Sequence, residues 1–188
     1  MKNNFVFIGD SLTFGYGVKK EDSFVYNLKK HLSFNIINKG LNGDITVSML
    51  ERFHRDVILN NPKYIFIMGG TNDLLCGRTV SSIVENICEM VNEGLTKTQK
   101  VYIGIPPCII PEKACALFSP SEIYSYCYRK LPVLREELIK LSASKNISYI
   151  DYYKITLENL NNNIYLDGIH LNSKGNKLML SATLNVLT

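Results

Sequence analysis

Of the three histidines in this 188-residue chain, His31 and His54 sit at the edges of apolar helical stripes and read as structural. His170 lies in a polar stretch with no periodicity to explain it, and Asp167 precedes it by three positions. One short turn can aim both side chains at a common point. A serine hydroxyl is a weak nucleophile at neutral pH and needs an imidazole to take its proton. The imidazole in turn needs a carboxylate to hold its tautomer and to stabilise the imidazolium that forms. Ser11, in Gly9-Asp10-Ser11-Leu12-Thr13, follows the apolar run at 5–8 and is the candidate nucleophile. A developing oxyanion needs donors, and the N–H groups of Ser11 and Gly43 with the side-chain amide of Asn72 can supply three. Each residue also has a plain structural reading. Ser11 can be a turn or cap residue, Asn72-Asp73 turn formers before a helix, and Asp167-Gly168 a turn before a cap at Asn172 or Ser173. Their conjunction in this order, each beyond an apolar run, favours the chemical reading.

The elements that must position these residues are legible as alternating patterns. Short runs rich in β-branched and aromatic residues occupy 5–8, 35–38, 63–68, 101–105 and 147–150. Continuous apolar runs bounded by glycine, proline or asparagine suit strands buried on both faces of a parallel sheet. Between and after them, apolar residues recur at helical spacing over 23–32, 44–59, 79–95, 121–145 and 173–187. Pro132 is expected to kink or divide the fourth of these. Strands alternating with helices predict βαβ crossovers and a three-layer α/β fold. Such sheets bind ligands beyond the carboxyl ends of their strands, where the glycine-rich loops carrying Ser11, Gly43, Asn72 and His170 would meet. No linker, repeat or low-complexity segment interrupts residues 1–188, which read as a single domain.

Composition narrows the function classes. Apolar residues make up 46% of the chain and charged residues 20%, ordinary for a globular protein. The net charge of +4 comes from scattered lysines, with no basic stripe interleaved with aromatics, so no nucleic-acid partner is expected. The amino terminus has four consecutive strongly apolar residues before Gly9, too few for a secretory signal, and no stretch reaches the roughly 20 apolar residues of a membrane span. A cytoplasmic location is the expectation. Cys76, Cys88, Cys108, Cys115 and Cys127 contain no C-x-x-C pair, so free thiols are expected, with no disulfide framework. No His or Cys pair has metal-ligand spacing, and the proposed chemistry requires no metal or organic cofactor.

These blocks resemble those of the SGNH hydrolases, also called GDSL esterases/lipases, over nearly the whole chain. The first is Gly9-Asp10-Ser11-Leu12-Thr13 with Gly15 and Gly17 trailing, and the second is Asn38-Lys39-Gly40-Leu41-Asn42-Gly43-Asp44. The third is Gly70-Thr71-Asn72-Asp73, and the last is Asp167-Gly168-Ile169-His170. The resemblance implies a flavodoxin-like fold, a mainly parallel sheet of about five strands in an order like 2-1-3-4-5 flanked by helices. It also implies oxyanion roles for Gly43 and Asn72, and base and acid roles for His170 and Asp167. Leu171 departs from the pattern, standing where many members carry proline. Ordinary α/β-hydrolases place serine in G-x-S-x-G, whereas here Thr13 holds the second glycine's position.

The function these residues imply is hydrolysis of an acyl or acetyl ester of a small molecule, lipid or carbohydrate. An acyltransferase using the same triad is the first alternative, and a non-catalytic binding module on this fold the second. The stretch 106–120 is long for a strand-to-helix loop. Ile109, Ile110, Leu117 and Phe118 within it are candidates for an acyl pocket or mobile lid, or equally for a packed surface loop. Oligomeric state has no signature in the sequence.

Overall fold

The computed structural model describes residues 3–98 and 100–187. Five strands, β1 (Asn4–Gly9), β2 (Asn35–Gly40), β3 (Pro62–Met68), β4 (Val101–Ile105) and β5 (Ser148–Asp151), form one parallel sheet in the order 2-1-3-4-5. β1 is an inner strand, with Gly9 paired to Gly40 on one side and Met68 on the other. The chain steps outward from β1 to β2 and then crosses back to β3. The crevice between the ends of β1 and β3 is therefore the switch point where such sheets bind ligands.

Strand side chains alternate between two cores, as the period of two demands. Val6, Ile8, Ile65, Ile67, Val101 and Ile103 face an aliphatic core. That core is closed by α3 (Thr46–Asp56), α5 (Val80–Leu95) and α7 (Glu122–Ser144). Phe5, Phe7, Phe66 and Tyr102 face the opposite, aromatic-rich core, where the Phe5 and Phe7 rings lie 4.4 Å apart and Phe7 and Phe66 4.9 Å. Helices α2 (Phe24–His31), α8 (Tyr152–Glu158) and α9 (Ser173–Leu187) cover it. Both faces of the inner strands β1, β3 and β4 are buried, which is why these read as apolar runs.

Short helices sit where the strands end. They are α1 (Ser11–Phe14) after β1, α4 (Thr71–Leu75) after β3, and α6 (Pro111–Leu117) inside the long connection from β4 to α7. Pro132 does not divide α7. Cys127 and Leu131 before it and Leu134, Leu138 and Leu141 after it are all buried in the aliphatic core. That shared packing outweighs the roughly 3 kcal/mol that an interior proline costs a helix. All five cysteines are unpaired thiols. Among the described residues no helix is long and apolar enough to cross a membrane.

Candidate active site

Ser11 opens α1 directly beyond β1. Asp10 caps this four-residue helix, its Oδ1 accepting the Leu12 N–H at 2.9 Å, and Gly15 ends it in the left-handed region at φ 92°. The turn bends the chain sharply enough to lift Ser11 to the strand ends while leaving its side chain only slightly exposed. As the first helical residue, Ser11 also presents one of the N–H groups that lack an intrahelical acceptor. Asp10 is fully enclosed and its Oδ2 has no hydrogen-bond partner. Burial pushes its pKa up to about 7, against the lowering effect of the Leu12 N–H.

His170 approaches Ser11 from the loop before α9. Its Nε2 lies 3.0 Å from Ser11 Oγ, and its Nδ1 lies 2.6 Å from Asp167 Oδ2. The loop is a tight turn, closed by the Leu166 N–H donating to the His170 carbonyl and by a Tyr165–Leu171 bridge. Asp167 Oδ1 accepts the backbone N–H groups of Ile169 and His170 at 2.9 and 2.7 Å. Burial raises the Asp167 pKa, but the His170 ring and those N–H groups outweigh it and hold the carboxyl below its usual range. An ionised carboxylate can only accept, so Nδ1 carries the ring proton and Nε2 is left to accept from Ser11 Oγ–H. Gly168 lets this turn press against α6. Its φ is 91°, a Cβ there would come within 2.6 Å of the Ile110 carbonyl, and the Ile110 N–H donates to the Gly168 carbonyl at 2.8 Å. Tyr16 packs beside the imidazole, ring centroids 4.5 Å apart.

The third group of residues sits across the crevice. Gly43 adopts φ 76° in the loop after β2, and among the described residues its N–H donates to no protein acceptor. Asn72, on α4, donates one amide hydrogen to the Asp44 carbonyl at 3.0 Å, which leaves its second hydrogen for another acceptor. A buried polar network braces both. Arg52 reaches Asp44 Oδ2 at 2.7 Å, Asp56 Oδ2 at 3.0 Å and the Gly9 carbonyl at 3.3 Å. Asp73 receives the Thr46 N–H and Thr46 hydroxyl, which ties α4 to the start of α3. Burial raises the Asp73 pKa, and the Thr46 hydrogen bonds pull against that shift.

Ser11, His170 and Asp167 are thus joined in one hydrogen-bonded chain, and Gly43 and Asn72 are joined through Asp44 beside it. The four apolar candidates of the 106–120 stretch differ in burial. Ile109 is buried in the aliphatic core and Ile110 packs on the aromatic one, while Leu117 and Phe118 end α6 more than half exposed. The reason is the helix that forms there. Pro111 starts α6, whose far end leaves Leu117 and Phe118 exposed. His31 and His54 are exposed on α2 and α3, and His54 pairs with Glu93. Arg52, Tyr16 and the bracing role of Asp73 had no signal in the sequence beyond Asp73 lying next to Asn72.

The comparisons with known proteins agree with this architecture. Residues 7–178 match the family model described as GDSL-like lipase/acylhydrolase. No match was found among curated protein sequences. A lipolytic protein of the G-D-S-L family from Veillonella parvula superposes with a TM-score of 0.84, at 24% identity over 97% of each chain. A lipase/acylhydrolase from Enterococcus faecalis is similar at a TM-score of 0.80 and 24% identity, over 98% of this chain and 95% of the other. An acetylxylan esterase from Geobacillus stearothermophilus superposes at 0.80 and 18% identity, over 97% and 93%. With the family model spanning nearly all of its length, the chain belongs to the GDSL-like lipase/acylhydrolase family.

Proposed function

We propose that the chain is a serine esterase that hydrolyses carboxylic esters, with Ser11 as nucleophile, His170 as general base and Asp167 as its orienting acid. The observation that carries this reading is the continuous contact chain, 3.0 Å from Ser11 Oγ to His170 Nε2 and 2.6 Å from His170 Nδ1 to Asp167. In the first half-reaction Ser11 Oγ attacks the ester carbonyl while Nε2 takes its proton. The carbonyl oxygen gains negative charge, which the Ser11 N–H, the Gly43 N–H and the free Asn72 amide hydrogen stabilise. The imidazolium then protonates the leaving alcohol, giving an acyl-serine. Water deprotonated by the same Nε2 attacks that acyl group, and Ser11 Oγ recovers its proton as the acid departs. The preset donors do not reorganise during the reaction, which is where such sites gain most of their rate.

Hydrolysis of p-nitrophenyl acetate and p-nitrophenyl octanoate by the purified protein and its Ser11→Ala variant tests the reading. Release of p-nitrophenol is expected from the parent protein and its loss from the variant. Equal rates in both would remove Ser11 from the mechanism. Product analysis with added alcohol separates hydrolysis from acyl transfer to an acceptor.

A further inference from the structure

β2 is an outer strand of the sheet, paired along one edge to β1. The Asn35 and Leu41 N–H groups donate to the Asn3 and Gly9 carbonyls, so the odd-numbered residues of this stretch turn their backbone groups toward β1. The residues between them turn theirs the other way. Ile36, Asn38 and Gly40 therefore face outward. The Gly40 N–H is capped by Asn38 Oδ1 at 2.9 Å, whereas the Asn38 N–H and carbonyl have no protein partner among the described residues. Asn38 itself is exposed.

A cavity of about 750 Å³ runs along this open edge. Residues 38–41 form its floor, and its walls come from both helical layers. Tyr26 and Lys29 of α2 stand on the aromatic side of the sheet, and Arg52, Arg55 and Asp56 of α3 on the aliphatic side. An unpaired strand edge between two walls is a template for one more strand.

Charge around the edge selects which strand fits. On the α3 side the cations are largely matched, because Asp44 and Asp56 hold Arg52, and Asp56 also meets Arg55 at 3.0 Å and Lys39 at 4.0 Å. The α2 side is unmatched. Lys20, Lys29 and Lys30 all stand over the Tyr26 ring, at 5.5, 5.8 and 5.9 Å from its centroid. None of the three has a carboxylate within 4.0 Å among the described residues, and neighbouring Asp22 is engaged by the Ser173 hydroxyl. Side chains of a strand alternate between faces, so acids at every second position of an added strand would all point to the α2 side.

We propose that the β2 edge docks an extended acidic peptide segment of a partner protein, hydrogen-bonded to the Asn38 backbone, with alternate carboxylates at Lys20 and Lys29. At ~3.3 Å per residue, the floor of the cavity matches a segment of about four or five residues. Docking uses no group of the Ser11–His170–Asp167 chain.

Calorimetric titration of the purified chain with acetyl-Glu-Val-Glu-Val-Glu-amide is the experiment. This peptide is expected to bind at least tenfold more tightly than acetyl-Lys-Val-Lys-Val-Lys-amide or glutarate, which carries carboxylates without a backbone. N-methylation separates strand pairing from charge, because alternate amides of an extended peptide face opposite edges. Methylating both valine amides, or instead the second and third glutamate amides, is expected to abolish binding in one case and to be tolerated in the other. The Lys20→Gln/Lys29→Gln double variant is expected to weaken binding about tenfold, the sum of two exposed ion pairs. A Lys97→Gln/Lys100→Gln control, with the same loss of charge away from the cavity, is expected to leave binding unchanged. All four lysines are exposed, and an unaltered near-ultraviolet circular dichroism spectrum certifies folding. Binding kept by both methylated peptides, or lost from both, overturns the added strand. No binding of the acidic peptide, glutarate binding as tightly, or equal weakening in both double variants overturns the docking site.

Discussion

On one side of the crevice Ser11, His170 and Asp167 touch in a line, and each belongs to a loop held mainly by its own hydrogen bonds. On the other side Asp44, Arg52, Thr46 and Asp73 knit together the ends of β1, β2 and β3 through buried charges. The first arrangement suits proton transfer, because an imidazole that must receive and return a proton is best held by a few directional contacts. The second suits charge stabilisation, because donors are most effective when they are already fixed as charge develops. Substitutions on the first side should therefore remove activity and spare stability, while the bracing residues of the second should cost both.

The largest effect is expected at the proposed triad. Ser11→Ala or His170→Ala should each lower kcat by about 10⁴- to 10⁶-fold, and the double variant by little more, because the two act as one unit. Urea unfolding midpoints should barely move. Asp167→Asn should lower kcat by about 10⁴-fold, since an amide can hold the ring in the wrong tautomer. Substantial loss of stability in any of these would break the contrast between the two sides.

Arg52→Met tests the braced side. It strands the buried Asp44 carboxylate without its cation, and equilibrium unfolding should show a loss of about 3–5 kcal/mol. Arg52→Lys should not restore it, because an ammonium cannot reproduce the fork between Asp44 and Asp56. A change near zero would mean that the network is not what holds the loop. Asn72→Ala should lower kcat by about 100- to 1000-fold with little change in KM, the pattern of a donor used only in the transition state.

The last test sharpens the comparison through pH. Asp10 has its pKa raised by burial to about 7, above the ordinary value of 3.8. The folded protein therefore holds a proton that the unfolded chain releases, and this contribution is complete below about pH 4 and is lost as pH rises to about 7. Thermal unfolding of Asp10→Asn against the parent should show the variant gaining relative stability across that window. A parallel pair of curves would mean that Asp10 titrates normally in the fold.

Much of this arrangement is legible in the primary structure because it is local. The strands are found within two residues at either end, and burial on both faces writes the inner three as apolar runs. Asp167 and His170 sit within one turn, so their spacing alone brings them together. Ile109 and Ile110 are chemically alike and adjacent, yet one enters the aliphatic core and the other packs on the aromatic core. Nothing short of the path of the chain into α6 distinguishes them. Pro132 misleads for a related reason: a local helix breaker is overruled by buried leucines on both sides of it.

The sequence by itself determined the alternating α/β architecture and the candidate serine, histidine, aspartate and asparagine, because periodicity and loop chemistry are properties of neighbouring residues. Only the tertiary structure decided that Arg52 reaches Asp44 and the end of β1. It alone packs Tyr16 beside His170 and leaves Lys20 and Lys29 unpaired above Tyr26 beside an open cavity. Those relations depend on which segments the crossovers bring side by side and on where burial strips water from a charge, and neither leaves a periodic trace along the chain.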